Sequence, residues 1–375
     1  MKVAHFAVFA PSMSGMYEST KDQIKYERRE GIDSIFVDGV NPKAHEMGWV
    51  DDGWLSPVDW REALNADVWV THSNFPPPLK EYITAEPRNR EKFKIVAIHH
   101  GPAEHMILKE YIYLQKNIDV NEDPAFTIVH INAIWNWDAC VVLNKHEFDV
   151  SVLFDENDKL IHIQNSIDLE RYNLDVYPWE FRNRPAIISC DVPRVEKMPV
   201  HIMLAMREIR KRVPSAKLNI YALPLDNIKF FRNLVCRVKD RMMDRGDYGY
   251  CENIVTKTNS VSPFIRGADI GFNSNYSGIC SRVHMEMQAM GVPVISYRGD
   301  YTPYHARIFD LESIAEQVER CWNDLNDSSK TVREDNIAYA RENYDRGKQV
   351  KIYVQLYQYL LDGKTLKEFR DEKEI

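Results

Sequence analysis

The sequence has no long apolar run, and its cysteines are few and scattered. No hydrophobic stretch approaches the roughly 20 residues that a helix needs to cross a bilayer, so we expect a soluble chain. The six cysteines form no C-x-x-C pair, which argues against a zinc knuckle and favours a reducing cytoplasm. The first ten residues lack a small-residue cleavage site and are interpreted as a first strand, not a signal peptide.

Positive charge is also in short supply. The 48 basic residues are outnumbered by 56 acidic ones, which gives a net charge of −8. An acidic chain is not steered as a whole toward nucleic acid, although a local basic surface is compatible with this total. The length of 375 residues suits two domains, each able to bury its own core.

Short β-rich runs alternate with amphipathic stretches, and after a polar, proline-dotted segment at 172–185 the pattern starts again. This order predicts βαβ units, parallel sheets and an α/β fold of two doubly wound domains. We expect an N-terminal domain at 1–168, a C-terminal domain at 180–346, and a helical tail at 347–375 that crosses back to the first domain. The predicted strands are 3–9, 34–38, 68–71, 94–99, 139–144, 186–189, 218–222, 269–273 and 293–297; the predicted helices include 17–29, 105–115, 200–212, 281–290 and 347–361. Residues 364–375 are strongly charged and are expected to lie in solvent.

The segment 277–295 is the most informative in the chain. It predicts a strand end, a tight loop with Gly278, a helix capped by Ser281, and a stop at Gly291 before a buried strand. A helix N-terminus behind such a loop offers N–H groups and a positive dipole end, which suit a diphosphate. Glu286, in the second turn, is placed to accept hydrogen bonds from ribose hydroxyls. An ordinary α/β unit with a surface glutamate explains the pattern equally well.

The run from His284 to Ile295, with Glu286 followed by Gly-Val-Pro-Val-Ile, resembles the donor-site signature of retaining GT-B glycosyltransferases of the family-4 type. The resemblance implies two facing Rossmann-like domains and gives Glu286 the donor's ribose. The family carries a second glutamate eight residues earlier, where this chain has Gly278. Ser277 and Arg282 are the neighbours expected near the donor sugar.

Further segments match the same family in order. The run 162–172 is similar to its interdomain motif and ends on the aromatic Tyr172. The resemblance places donor phosphates on residues of three segments. These are Lys197 and Arg194 in the loop after the strand at 186–189; Gly278, Ile279, Cys280 and Ser281 at the donor helix; and Ser14 and Gly15 in a glycine-poor first loop.

Two adjacent histidines follow the predicted strand at 94–99. The resemblance makes His100 the first candidate for a catalytic role and His99 the second, either assisting the acceptor hydroxyl or contacting the sugar. A structural histidine that caps the following helix remains an alternative. A metal site formed with Glu104 and His105 is a weaker one, because adjacent histidines on an extended chain point to opposite sides.

The sequence also resembles, more distantly, phage enzymes that glucosylate hydroxymethylcytosine in DNA, through the run from His284 to Gly291. Basic residues at 229–245 offer phosphate contacts. The regular apolar spacing of Phe231, Leu234, Val238 and Met242 favours an ordinary amphipathic helix there instead.

The sequence thus predicts a cytoplasmic, metal-independent retaining glycosyltransferase that uses a nucleotide sugar, most readily a UDP-sugar, and needs no cofactor. No convincing Asp-x-Asp metal motif is present. The acceptor stays open among a glycan, a small molecule and modified DNA, and so does the oligomeric state. The alternatives are a phage-type DNA glycosyltransferase, an epimerase or phosphorylase of the same fold, and a non-catalytic nucleotide-sugar-binding scaffold.

Overall fold

The structure is a computed structural model, and it describes most of the chain. The described residues are 1–7, 15–38, 55–72, 77–85, 89, 91–100, 137–145, 148–149, 158–190, 200–221, 237–238, 240–241, 251–255, 261–275, 281–297 and 302–373. The chain divides into two compact units. Unit 1 contains Met1–Ser166 together with Arg346–Ile375, and unit 2 contains Ile167–Asp345.

Unit 1 is built on a six-stranded parallel sheet with the order β2-β1-β3-β4-β5-β6. Its strands are β1 Lys2–Ala7, β2 Asp33–Asp38, β3 Val68–Thr71, β4 Lys94–His99, β5 Ala139–Val142 and β6 Leu160–His162. Its helices are α1 Gly15–Arg29, a short 3₁₀ helix Trp60–Asn65 and α2 Pro77–Ala85. Parallel neighbours require the chain to return to the same end of the sheet between strands, and α1, the 3₁₀ helix and α2 lie in the first three of these connections.

The central strands are nearly continuous apolar runs because both faces of the sheet are covered. Alternation along each strand sends successive side chains to opposite faces. One face packs Phe6, Trp69 and Ile95 into a core with the residues around the 3₁₀ helix and α2. The other face packs valines and isoleucines against the C-terminal helices; it includes Val3, Val68, Val70, Val96, Ile98, Val141 and Ile161.

The C-terminal tail returns to unit 1 as two helices. Helix α8 covers Arg346–Leu361, and its Tyr353, Leu356 and Tyr357 are buried against the sheet. The expectation that 364–375 lies in solvent is wrong for Leu366 and Phe369, although most of the charged residues around them are exposed. Residues Leu366–Lys373 form a helix, α9, in which Phe369 is fully buried, because two apolar side chains three residues apart share one face of an otherwise charged helix.

Unit 2 has a five-stranded parallel sheet with the order β11-β10-β7-β8-β9. Its strands are β7 Ala186–Ser189, β8 Lys217–Tyr221, β9 Cys251–Val255, β10 Ile270–Asn273 and β11 Val294–Ser296. Its helices are α3 Val200–Arg212, α4 Ser262–Gly267, α5 Arg282–Ala289, α6 Leu311–Asn326 and α7 Val332–Asn343.

Helices cover both faces of the second sheet. One face packs against α3 and α6, and the other packs against α5 and α7. Gly271 in β10 lets α5 lie close to the sheet, since a Cβ there would stand 2.4 Å from the Sδ of Met287. The sequence therefore places a glycine where the helix of the predicted donor site must approach a strand.

Most predicted elements match the structure within one or two residues. The strands at 68–71, 94–99 and 186–189 and the helix at 200–212 have the predicted bounds. The α/β fold with parallel sheets is confirmed. The helix predicted at 105–115 lies outside the described residues. Of the amphipathic stretch 229–245, Val238 packs against the core while Arg237 and Arg241 are exposed.

The burial of α9 generates a stability prediction. We expect Phe369→Ala to destabilise the protein by about 3–5 kcal/mol, because it removes a fully buried ring and leaves a cavity. Urea unfolding of the full chain, compared with Lys367→Ala on the exposed face of the same helix, measures the difference. Equal midpoints for the two variants would show that α9 does not contribute to the core.

Candidate functional site

Helix α5 is fixed at its start by a polar link to the preceding strand. Nδ2 of Asn273, the last residue of β10, donates to Oγ of Ser281 at 2.7 Å. The same Oγ accepts from the backbone N–H of His284 at 3.3 Å, which makes Ser281 the N-cap. Both capping partners are buried. The predicted N-cap is confirmed, and the helix start is tied to the carboxyl end of β10.

The end of α5 is equally well defined. Gly291 adopts a φ of +74°, a left-handed conformation that glycine adopts without strain. Its N–H donates to the carbonyl of Gln288, and the N–H of Val292 donates to that of Met287. These bonds close the helix before β11, as the sequence predicts.

Glu286 lies in the second turn of α5 with its side chain buried. Its Oε1 accepts from Nε of Arg282, one turn earlier, at 2.8 Å. The phenol of Tyr172 also hydrogen-bonds to the carboxylate, and the guanidinium of Arg282 lies over the Tyr172 ring at 5.6 Å. The aromatic that ends the predicted interdomain motif thus meets the glutamate of the donor-helix motif.

Burial dominates the electrostatics of this carboxylate. It raises the pKa of Glu286, and the opposing effects of Arg282, the Tyr172 hydrogen bond and Arg171 do not cancel it. Two arginines and a phenol are therefore too little to replace the hydration that the ionised carboxylate loses. Additional hydroxyl donors would stabilise the charged form.

Most of the other residues predicted to hold the donor lie outside the described residues. These are Ser14, Arg194, Lys197, Ser277, Gly278, Ile279 and Cys280. Gly15 is described and is the exposed first residue of α1 in unit 1. In unit 2 the structure brings together Ser281, Arg282 and Glu286 on one helix.

In unit 1, the side chains of the two candidate histidines lie on opposite faces of the sheet at the end of β4. His99 is the last residue of the strand and pairs in register with Val142 of β5. His100 follows it and continues the side occupied by Val96 and Ile98. Alternation thus separates the two rings. Glu104 and His105, the other members of the alternative metal site, lie outside the described residues.

His100 belongs to a row of hydrogen-bonded histidines from three neighbouring strands. Its Nε2 lies 3.0 Å from Nδ1 of His72, which directly follows β3. Nε2 of His72 lies 3.3 Å from Nδ1 of His5 in β1. Nε2 of His5 lies 2.7 Å from Oε2 of Glu27 in α1. We call these four residues the histidine row; it runs from a buried carboxylate to the carboxyl edge of the sheet.

The carboxylate at the inner end of the row is fully engaged. Oε2 of Glu27 also accepts from Oγ of Ser34 at 2.6 Å. Oε1 accepts from Nε2 of Gln23 and from the hydroxyl of Tyr357, each at 3.0 Å. Burial raises the pKa of Glu27, but His5, Ser34 and Gln23 together bring it below its ordinary value. Glu27 is therefore a buried anion.

The middle of the row resists protonation. Burial lowers the pKa of His72 well below its ordinary value, and the neighbouring His100, His5 and the guanidinium of Arg346 lower it further. His72 is thus a neutral imidazole with a hydrogen-bond partner at each nitrogen, and each of its two hydrogen bonds needs one donor and one acceptor.

The sequence interpretation missed Glu27, His5 and His72. A signal was present, because His5, His72 and His100 have the same alternation phase as the apolar residues of β1, β3 and β4. A polar side chain on a face that is otherwise apolar needs a partner. Three such positions in strands that are neighbours in the sheet predict a shared network at that face.

Two negative findings apply to the described part of the chain. No group of three or more His, Cys, Asp or Glu side chains there is arranged to hold a metal ion. No helix in that part combines the length and the apolar character needed to cross a membrane.

Comparison with known proteins identifies the fold. No protein-family model and no curated protein sequence matches the chain, but solved structures match nearly all of it. Sucrose-phosphate synthase from Thermosynechococcus elongatus aligns with a TM-score of 0.71 at 12% identity, covering 97% of this chain and 100% of its own. A glycosyltransferase from Rickettsia africae aligns with a TM-score of 0.66 at 15% identity, covering 96% and 98%. The chain has the GT-B fold.

A third similar structure carries a ligand. The Anabaena protein HepE, solved in complex with UDP-glucose, aligns with a TM-score of 0.66 at 13% identity and covers 97% of this chain and 100% of its own. At these identities the likeness establishes the fold and not the chemistry. The predicted pair of Rossmann-like domains is confirmed.

The buried Arg282–Glu286 pair generates a pH-dependent prediction. Arg282→Gln removes a cation that lowers the pKa of Glu286, so the folded-state pKa rises further above the unfolded one. The resulting loss of stability is largest above that raised pKa and shrinks as acid protonates Glu286. We expect a loss of about 3 kcal/mol at pH 8 and a smaller one at pH 5, measured by urea unfolding.

Lys211→Gln is the matched control, since the Lys211–Glu208 pair is an exposed ion pair one turn apart. It should change stability by less than about 1 kcal/mol at both pH values. A loss in Arg282→Gln that does not vary with pH would contradict the assignment of Glu286 as its buried partner.

Proposed function

We propose that the protein is a glycosyltransferase that moves a sugar from a nucleoside diphosphate to an acceptor hydroxyl. The observation that carries the proposal is the buried carboxylate of Glu286 in the second turn of α5, a helix tied to the carboxyl end of β10. In parallel α/β sheets, ligands bind at the carboxyl ends of the strands. The GT-B fold of solved glycosyltransferases supports the same function.

Glu286 suits the ribose of the donor. A carboxylate can accept two hydroxyl hydrogens side by side, and vicinal ribose hydroxyls present that pair. The raised pKa of Glu286 shows that its present partners leave the anion poorly stabilised. Two hydroxyl donors in a buried setting would supply the missing hydrogen bonds, so the bound nucleotide and the ionised glutamate favour each other.

The start of α5 suits the diphosphate. Anions bind at helix N-termini because N–H groups and the helix dipole point at them. Ser281 caps this end, and residues 277–280 precede it in the sequence. Lys197 and Arg194 are assigned to the phosphates from the family resemblance, and two cations would balance the charge that develops on the leaving group.

The transfer breaks the bond between the anomeric carbon and the diphosphate oxygen, and the electron pair leaves with the diphosphate. The acceptor oxygen forms the new bond to that carbon and gives up its proton. Retention of configuration is proposed from the family-4 resemblance alone. Cationic side chains and the helix end supply the leaving-group stabilisation, so the proposed reaction needs no metal and no cofactor.

His100 is proposed to serve the acceptor side. It lies at the carboxyl edge of the first sheet and is half-buried, with its ring oriented by His72. An imidazole in such a setting accepts the proton of an attacking hydroxyl at neutral pH. His99 stays the second candidate from the sequence.

The acceptor is proposed as a soluble or polymeric hydroxyl compound. Modified duplex DNA is an alternative supported only by the distant phage resemblance. Retention of the protein on duplex DNA at low salt, with release as salt rises, would favour that alternative.

Nucleotide binding is the direct test of the Glu286 assignment. We expect UDP or GDP to raise the melting temperature of the protein, and Glu286→Gln to weaken the binding about 10- to 100-fold, because a charge-assisted pair of hydrogen bonds is lost. Calorimetric titration measures the dissociation constants. Glu316→Gln, an exposed glutamate of α6, is the control and should bind as the wild type does.

The pH dependence sharpens this test. Burial raises the pKa of Glu286, and protonation removes the negative charge that accepts the hydroxyl hydrogens. Nucleotide affinity of the wild type should therefore fall as the pH drops from 8 to 5. The affinity of Glu286→Gln should not show this component. Equal affinity of the variant and the wild type at pH 8 would remove Glu286 from the nucleotide site.

An activity screen separates an enzyme from a binding scaffold. We expect slow hydrolysis of one or more nucleotide sugars without an acceptor, and we expect His100→Ala to lower the rate about 10²-fold or more while nucleotide affinity is kept. Released sugar and nucleotide are measured by chromatography across a panel of UDP- and GDP-sugars. Tight nucleotide binding with no turnover of any donor would favour the scaffold.

A further inference from the structure

The histidine row follows from strand register. In the sheet of unit 1, His5 pairs in register with Val70, so His72, which directly follows β3, lies two residues further along the chain. Thr71 pairs with Ala97. Continuing this register by one residue puts His72 opposite Ile98, and His100 again lies two residues further. Each histidine is displaced by one full alternation period from the one before. All three rings therefore share a face and form a diagonal toward the strand ends.

The two ends of the histidine row differ in the hydrogen bonds that they can make. An imidazole nitrogen either donates or accepts, depending on where its proton lies, but an ionised carboxylate accepts only. Glu27 is such a carboxylate, fully buried and met by four donors. Because it can only accept, it sets the donor and acceptor roles of the ring nitrogens in the three histidines.

We propose that Glu27, His5 and His72 are positioning residues that set the tautomer of His100 through this row of hydrogen bonds. With one proton on each ring, His5 donates from Nε2 to Glu27 and accepts at Nδ1 from Nε2 of His72. His72 accepts at Nδ1 from Nε2 of His100. With its proton on Nε2, His100 carries an unprotonated Nδ1, and that nitrogen is the one able to act as a base.

The surroundings favour a neutral ring at His72. This side chain is buried, where a charged imidazole loses its hydration. Arg346 lies close enough to lower the pKa of His72, and Tyr353 and Tyr357 of the same helix face this cluster with hydroxyls whose pKa values burial raises. Burial and the Arg346 cation thus favour a neutral His72.

The donor-to-acceptor direction of the hydrogen bonds in the histidine row does not change when His100 takes up a proton. A proton added at Nδ1 makes His100 an imidazolium that still donates from Nε2 to His72. No other proton in the row has to move. The row therefore accommodates both forms of His100, and this matters for a group that accepts a proton and later releases it.

The substitution Glu27→Gln should reverse the donor and acceptor roles along the histidine row. In Glu27→Gln, the amide oxygen is held at the end that faces Gln23 and Tyr357, which both donate there. The amide NH₂ then faces Ser34 and His5, which both can accept. His5 must accept at Nε2, and the reversal passes through His72 until His100 accepts at Nε2 and carries its proton on Nδ1.

The test is the tautomer of each ring in the full-length protein. Histidine labelled with ¹⁵N gives distinct chemical shifts for protonated and unprotonated ring nitrogens, and the variants His5→Gln, His72→Gln and His100→Gln assign the signals among the 12 histidines. At pH 8 we expect the proton on Nε2 in all three rings of the wild type, and on Nδ1 in all three in Glu27→Gln.

Ser34→Ala is the matched control, because it removes one hydrogen bond to Glu27 and leaves the carboxylate in place. It should keep the wild-type tautomers. A proton on Nδ1 of His100 in the wild type would overturn the proposal without recourse to any variant. Unchanged tautomers in a folded Glu27→Gln would overturn it as well.

The catalytic consequence rests on the proposed function and is measured separately. Glu27→Gln should lower kcat about 10²-fold, leave KM for the donor nearly unchanged, and abolish the rise of kcat with pH that ionisation of His100 gives. Absence of turnover in the wild type would contradict the proposed function alone, since the tautomer result stands without it. A wild-type pH profile in a folded Glu27→Gln would contradict the positioning role.

Discussion

The buried carboxylate of Glu27 is the interaction on which the organisation of unit 1 depends. An ion removed from water must have its lone pairs engaged, and here the donors come from α1, β1, β2 and α8. A C-terminal helix more than 300 residues away in the sequence supplies Tyr357. The charge therefore joins the first and last parts of this unit, and it leaves His5 with one nitrogen to pass the constraint on to His72.

A comparison of Glu27 with Glu286 shows how the number of hydrogen-bond donors decides the role of a buried carboxylate. Glu27 has four donors, and its pKa is lowered despite complete burial. Glu286 is also buried, but its pKa is raised although Arg282 pairs with it. A carboxylate whose donors are complete is a structural anchor, whereas one whose donors are incomplete gains from a ligand that brings hydroxyls. This difference is what makes Glu286 the stronger candidate for a binding role.

Local sequence patterns predict most of the strands and helices and part of the candidate site. Alternation and composition give β3, β4 and β7 their bounds, and Ser281 and Gly291 mark the start and end of α5 because capping chemistry is local. Strand register is not local, so nothing in the sequence alone states that His5, His72 and His100 lie on one diagonal. The burial of Phe369 was missed for a related reason, since two apolar residues within a charged segment show an amphipathic face only once a surface is available to cover it.

The histidine row also explains why alternation alone does not assign a catalytic role at the end of β4. His99 and His100 are adjacent and chemically identical, and the sequence ranks them by resemblance only. The structure distinguishes them by what lies behind each ring, because His100 continues a face on which His72, His5 and Glu27 already stand in line. A base needs a defined proton position as well as a suitable pKa. The ring whose tautomer is set by a buried anion therefore has an advantage that its neighbour, on the opposite face of the sheet, does not share.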